Sequence, residues 1–247
     1  MKKRQNPIDI CRLCKIKKEL TFEHIPPRSA FNKNTKYKII DNTEYYVNFL
    51  KYQSKELTYR SRVEQGGLGE FCLCADCNNF LGRNYVNEYT KFAKKAMSIL
   101  NSAPKNAKGF EFDISDIDLL KFIKQVISIF ICSNDIYFTD EYNELIDFVK
   151  NSEDSNLPER YRVYMYLNNE GVLKNGGFHL TNNYGIVCEF TYPPFGFVLS
   201  IDNPNQIMEV SEITAFKYYN KIKDNVEKLP IILNKYATNY PFPLDFR

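Results

Sequence analysis

Apolar positions change period along this chain, and each change marks a different kind of element. Phe80, Leu81, Tyr85, Tyr89, Phe92, Ala96 and Ile99 recur mostly at steps of three and four, which predicts a helix over residues 75–100 with one buried face. Gly82 weakens that helix locally. Residues 117–132 carry Leu119, Leu120, Phe122, Ile123, Val126, Ile127 and Phe130, enough apolar surface for a buried helix, with Ser115-Asp116 as its cap. A shorter helix is expected at about 140–149. Residues 161–167, 178–190 and 195–201 are rich in Tyr, Phe, Val and Ile, are punctuated by Asn-Asn, Gly-Gly and Pro-Pro, and read as antiparallel strands. Residues 210–236 are mixed and predict a helix followed by an irregular tail over 240–247.

The front of the chain is less periodic. Residues 1–10 read as a loose basic lead-in, 15–19 as a polar turn and 20–25 as a short strand. Pro26-Pro27 must end that strand, because neither proline can donate to a ladder. Residues 32–65 are rich in tyrosine and lysine without a repeat and predict an inserted element of short strands or extended loop. Gln65-Gly66-Gly67-Leu68-Gly69 is a turn signal, followed by a short strand at 70–73. Residues 101–109, with Ser, Pro, Asn and Gly, read as a linker, dividing the chain into 1–105 and 106–247. The fold class expected from these elements is α+β in both parts.

At 247 residues the chain can bury a full core. No apolar run approaches the ~20 residues of a bilayer span. The charged start Met1-Lys2-Lys3-Arg4 is not followed by a signal-peptide core, so no membrane association is expected. The net charge of +3 conceals a division: residues 1–105 hold 20 Lys+Arg against 10 Asp+Glu, and the remainder 13 against 20. A basic front suits a polyanionic partner such as DNA. The acidic back half is left for sensing a protein partner, forming a homodimer or restraining the front. Seven cysteines, an odd number with four at metal-ligand spacing, point to the reducing cytoplasm rather than to a disulfide framework.

Those four form two C-x-x-C pairs, Cys11/Cys14 and Cys74/Cys77, the pattern of a closed tetrahedral zinc site. Cys72 is a rival ligand by position; Cys132 and Cys188 read as small buried apolar residues. Between the pairs lies Phe22-Glu23-His24-Ile25-Pro26-Pro27. A histidine held at a strand end can take a proton from water near neutral pH. The Glu23 carboxylate and the amide oxygen of Asn78, directly after the second pair, are the hard donors that Mg²⁺ or Mn²⁺ prefers. Arg28 is a candidate phosphate contact. Lys36, Lys38, Arg60 and Arg62, interleaved with Tyr37, Tyr45, Tyr46, Tyr52 and Tyr59, are candidates for nucleic-acid binding by stacking and phosphate pairing. His179, within Phe178-His179-Leu180, reads as a sheet histidine.

Cys-Arg-Leu-Cys, then Leu-Thr-Phe-Glu-His-Ile-Pro-Pro, then Cys-Ala-Asp-Cys-Asn-Asn-Phe-Leu-Gly resembles the HNH, or ββα-metal, endonuclease superfamily over residues 11–82. The resemblance implies a zinc-stapled ββα-metal nuclease domain. It also implies His24 as general base, Glu23 and Asn78 on a catalytic Mg²⁺ or Mn²⁺, and a setting in restriction or anti-phage defence. Three departures accompany it. The family's central Asn falls here on Gly69, with Gln65 or Asn79 as substitutes. His24 and Asn78 are 54 residues apart, and the acid is Glu rather than Asp. A second reading of the same residues is a zinc-knuckle nucleic-acid-binding or scaffolding protein with a degenerate nuclease site. The residues do not separate DNA from RNA as substrate.

Overall fold

The structure, a computed structural model, describes residues 6–40, 61–104, 106–107, 109–168, 174–181, 185–203, 205–207, 210–219 and 230–234. The expected lead-in contains a strand, β1 (Ile8–Ile10), and the next strand, β2 (Lys17–His24), begins earlier than the apolar pattern suggested. The predicted insertion contributes β3 (Lys36–Ile40) and β4 (Ser61–Gln65), which pair antiparallel with Lys36 opposite Gln65. β5 (Gly69–Cys74) then returns to lie against β2, so that β1, β2 and β5 form one antiparallel sheet with β2 in the centre.

The β2–β5 ladder is not regular. Thr21 pairs with Leu73 but Phe22 pairs with Phe71, which makes Cys72 the extra residue of a β-bulge. Its effect is local and visible: Cys72, Leu73 and Cys74 are buried in succession, where a regular strand would alternate.

The helix predicted over 75–100 is two helices, α1 (Ala75–Asn84) and α2 (Val86–Ser102). The break is at Tyr85, with φ −125° and ψ −34°. Its ring is fully buried and its hydroxyl donates to the Val149 carbonyl at 2.5 Å. Periodicity could not register the break, because Tyr85 belongs to the buried stripe on both sides of it. Gly82 sits in open space: a Cβ there would meet nothing within 4 Å, so packing does not require the glycine.

The predicted linker, 101–109, overlaps the end of α2 and runs directly into β6 (Gly109–Asp113). The buried helix is present as α3 (Leu119–Ser133), and its cap is Asp118, not Ser115-Asp116: the Asp118 side chain accepts from the Lys121 amide. Two short helices, α4 (Ile136–Glu141) and α5 (Asn143–Lys150), stand where one was expected. Four strands follow: β7 (Tyr161–Leu167), β8 (Lys174–Thr181), β9 (Gly185–Tyr192) and β10 (Phe195–Ile201). The single strand predicted at 178–190 is parts of β8 and β9. Of 210–236, where a helix was expected, the described residues form β11 (Ser211–Glu212), a 3₁₀ turn (Thr214–Tyr218) and β12 (Pro230–Asn234), and 220–229 lie outside the described residues. β7 to β11 make an antiparallel sheet in the order β11-β7-β10-β9-β8, and β12 pairs with β6.

α3 is buried on nearly every side, and Phe122 sits at the middle of the aromatic core. Its ring lies 4.9 Å from Phe92, 5.7 Å from Tyr89 and 6.1 Å from Phe195, measured between centroids. One continuous set of buried residues therefore runs from Cys11 and Leu13 through α2 and α3 to the β7–β11 sheet. Polar ties cross the same boundary: Lys15 to Asp140 at 2.7 Å, Lys95 to Asp116 at 2.6 Å, and Thr35 to the Tyr192 hydroxyl at 2.7 Å. Among the described residues no helix is long and apolar enough to cross a membrane.

Candidate functional site

Cys11 lies just after β1, Cys74 ends β5 and Cys77 is in the first turn of α1, so two ladder ends and a helix start converge. Lys15, at φ 61°, turns the first knuckle back on itself, and its amide donates to the Cys11 carbonyl at 2.8 Å. The four sulfurs of Cys11, Cys14, Cys74 and Cys77 all lie within 4.8 Å of one another, with Cys14 and Cys74 at 3.9 Å. Zinc–sulfur bonds of ~2.3 Å in a tetrahedron require sulfur edges of roughly 3.8 Å, so the donor set fits zinc with at most a contraction of about 1 Å along its longer edges. A hydrogen bond with Cys77 pulls the Cys11 thiol down to about 4, helped by the amides of Cys14 and Cys74, while the same bond pushes the Cys77 thiol up. Without metal the cluster thus favours one thiolate, at Cys11, while burial and the neighbouring sulfurs push the Cys14 and Cys77 thiols up. These four cysteines can hold a metal such as zinc. Cys72 is outside the cluster: the bulge turns it inward, where its thiol hydrogen-bonds with that of Cys132. Cys132 and Cys188 are buried as expected.

Beside the cysteines is an open cleft of 490 Å³, lined by Phe22, Glu23 and His24 of β2, Pro27, Arg28, Ser29 and Lys33 of the following loop, and Asn78 and Val86. The three residues singled out for chemistry in the sequence thus line one cleft. His24 is half-buried and its Nε2 lies 3.2 Å from the Gly66 carbonyl. A carbonyl can only accept, so Nε2 carries the proton and Nδ1 is the basic nitrogen. Asn78 donates its amide nitrogen to Thr21 Oγ1 at 3.0 Å, which leaves the amide oxygen available to a ligand.

Glu23 is 8% exposed, and loss of water pushes its carboxyl up from 4.5 to about 7. The folded state therefore holds this proton at pH values where the unfolded chain has lost it. The cost of burying the carboxylate is absent below 4.5, grows as pH rises through the interval to about 7, and is complete above it. Stability is expected to fall across that window by up to ~3 kcal/mol. Denaturant titrations of wild type and Glu23→Gln from pH 4.5 to 8 test this. The variant should lack that part of the slope, and identical slopes would refute the assignment.

Neither Gln65 nor Asn79 does the work of a central asparagine; both are exposed and neither lines the cleft. Position 69 cannot hold one either, since a Cβ on Gly69 would sit 2.1 Å from the Glu23 carbonyl. The residue that braces the loop is Asn32, which is completely buried. Its amide nitrogen donates to the carbonyls of Pro26 and Leu68, and its oxygen accepts from the Leu68 amide, each at 2.7 Å. It thereby ties the segment after His24 to the one before β5. Gly67, at φ 99°, faces both sides of this clamp; a Cβ there would meet the Asn32 carbonyl and the His24 ring. Asn32→Ala takes the partner from the Pro26 carbonyl and the Leu68 amide, while the Leu68 carbonyl still accepts from the Ile25 amide, and is expected to cost on the order of 3 kcal/mol in urea unfolding. A loss below ~1 kcal/mol would mean the loop is held elsewhere.

Arg12 is a second residue that sequence reasoning missed. Its guanidinium pairs with Glu70 at 2.7 Å and donates to the Cys132 carbonyl at the end of α3, locking the first knuckle to the buried helix. Arg28 and Lys33 are exposed along the cleft. Lys36 is exposed on β3 and does not line it. Arg60, the side chains of Tyr37, Lys38, Arg62 and His179, and the tyrosines at 45, 46, 52 and 59 lie outside what is described.

Compared with protein-family models, with curated proteins and with solved structures, the chain gives no match.

Proposed function

We propose that this protein is a metal-dependent endonuclease of the HNH kind, hydrolysing DNA phosphodiester bonds. The observation that carries the reading is the convergence of His24, Glu23 and Asn78 on one cleft beside a four-cysteine cluster. β2 supplies Glu23 and His24, and α1, which β5 delivers beside β2, supplies Asn78. Four cysteines alone would equally suit a scaffold. A buried Glu23 carboxyl that gives up its proton only near pH 7, in the cleft that His24 and Asn78 also line, is costly to ionise, and a bound cation would offset that cost.

In this mechanism Nδ1 of His24 accepts a proton from the attacking water, while the bond from Nε2 to Gly66 holds the ring. Glu23 and Asn78 would hold Mg²⁺ or Mn²⁺, which when bound supplies Lewis-acid stabilisation of the departing 3′ oxygen. Arg28 and Lys33 pair with the flanking phosphates. Asn32 keeps the loop after His24 in register with the loop before β5. The cysteine cluster, as a structural zinc site, fixes the end of β5 and the start of α1, from which Asn78 projects. Restriction or anti-phage defence in the cytoplasm is the setting in which we place this activity.

The test is supercoiled-plasmid cleavage by zinc-loaded protein in Mg²⁺ or Mn²⁺ and in EDTA, with a matched RNA in parallel. Nicking that requires the added metal supports the enzyme. Binding without cleavage under every condition would replace it with the zinc-knuckle binding module. Cleavage confined to RNA would retain the chemistry and change the substrate.

A further inference from the structure

Resting on the nuclease reading and narrowing its substrate, we infer that Phe22 is a stacking platform for an unpaired nucleobase next to the scissile phosphate. The substrate class is then single-stranded or locally unpaired nucleic acid.

Phe22 precedes His24 by two residues on β2, so both side chains emerge on one face of the sheet. Their rings meet edge to face with centroids 5.2 Å apart. Behind Phe22 stands its cross-strand partner Phe71, at 5.4 Å and 76°, which holds the ring in place. A phenylalanine so flanked, in the central strand of a sheet, would ordinarily be covered. Phe22 is instead 38% exposed and forms part of the cleft wall.

What the cleft offers beside that ring is positive charge. Arg28 and Lys33 are exposed and line the same cleft, complementary to a phosphate backbone. Cations that follow phosphates, next to an aromatic face that accepts any base, are the arrangement by which proteins grip single strands. A paired base has both faces occupied by its neighbours in the duplex and cannot lie on Phe22 unless it leaves the stack. The cleft volume of 490 Å³ falls in the ~300–1,000 Å³ range of small-ligand sites, room enough for a splayed nucleotide. An apolar protein partner would gain nothing from the two cations.

The experiment uses the full zinc-loaded chain and one oligonucleotide carrying 2-aminopurine, presented single-stranded, in a bubble and fully paired. Wild type should quench the probe in the first two and hardly in the third. Phe22→Leu keeps an apolar side chain against Phe71, and should lose the quenching and roughly 5- to 150-fold of single-strand affinity, the worth of one stacked base. Its duplex affinity should stay within about two-fold. Phe22→Tyr keeps the ring and should restore both signals. Phe22→Leu that binds and quenches like wild type would overturn the inference, as would equal losses on single and double strands that Phe22→Tyr does not repair. Failure of the nuclease reading shows separately, as absence of metal-dependent cleavage of any of the three substrates, because the fluorescence signal does not depend on turnover.

Discussion

Replacing Cys74 with serine, or stripping metal from the wild type, is expected to unfold the front of the molecule rather than loosen it. Cys74 ends β5, precedes α1 and has its sulfur within 4.8 Å of three others. Binding at a structural zinc site is worth an apparent ~10–16 kcal/mol, as much as the ~5–15 kcal/mol that holds most whole domains together. Without the ion, the crowded thiols must take up protons and the two knuckles lose their common anchor. The damage should spread, because Arg12 and Lys15 of the first knuckle are tied to the Cys132 carbonyl and to Asp140. Calorimetry with elemental analysis checks this. Wild type should carry one zinc per chain, and Cys74→Ser should either lose its cooperative transition or melt on the order of 20 °C lower. Cys72→Ser should retain the zinc, since Cys72 lies outside the cluster. A zinc-free protein with wild-type melting would refute the structural site.

His24→Ala is expected to lower the cleavage rate by about 10²–10⁴-fold, the usual worth of a positioned general base, with stability changed by less than ~1 kcal/mol. The separation of the two effects follows from the geometry. His24 is half-buried and its described hydrogen bond, at 3.2 Å to Gly66, is a weak one whose loss strands little. Nicking assays at saturating Mg²⁺ or Mn²⁺, with melting and zinc content measured on the same preparation, separate chemistry from folding. A variant that cleaves at more than half the wild-type rate would place the base elsewhere in the cleft.

Much of the candidate site was legible because its signals are short. Two C-x-x-C pairs name four ligands within single turns of chain, and the structure brings their sulfurs together. Glu23-His24 before Pro26-Pro27 marked a strand end, and β2 does end at His24. By contrast Asn32 was passed over. It sits in a polar loop where asparagine is common, and its value comes from Leu68, 36 positions away. Gly69 looked like a missing asparagine; the 2.1 Å approach of the Glu23 carbonyl explains why no side chain fits there.

The chain's own periodicity determined the buried helix around Phe122, the strands at 161–167 and 195–201, and the grouping of cysteines, since each depends on residues that are neighbours in sequence. Tertiary structure decided the break at Tyr85, the bulge at Cys72, the pairing of β6 with β12 and the clamp of Asn32. In each of these the conformation depends on a partner tens of residues away, Leu68 in the case of Asn32. Local propensity carries no record of such a partner, and the energy that selects the conformation appears only when both ends are brought together and water is excluded.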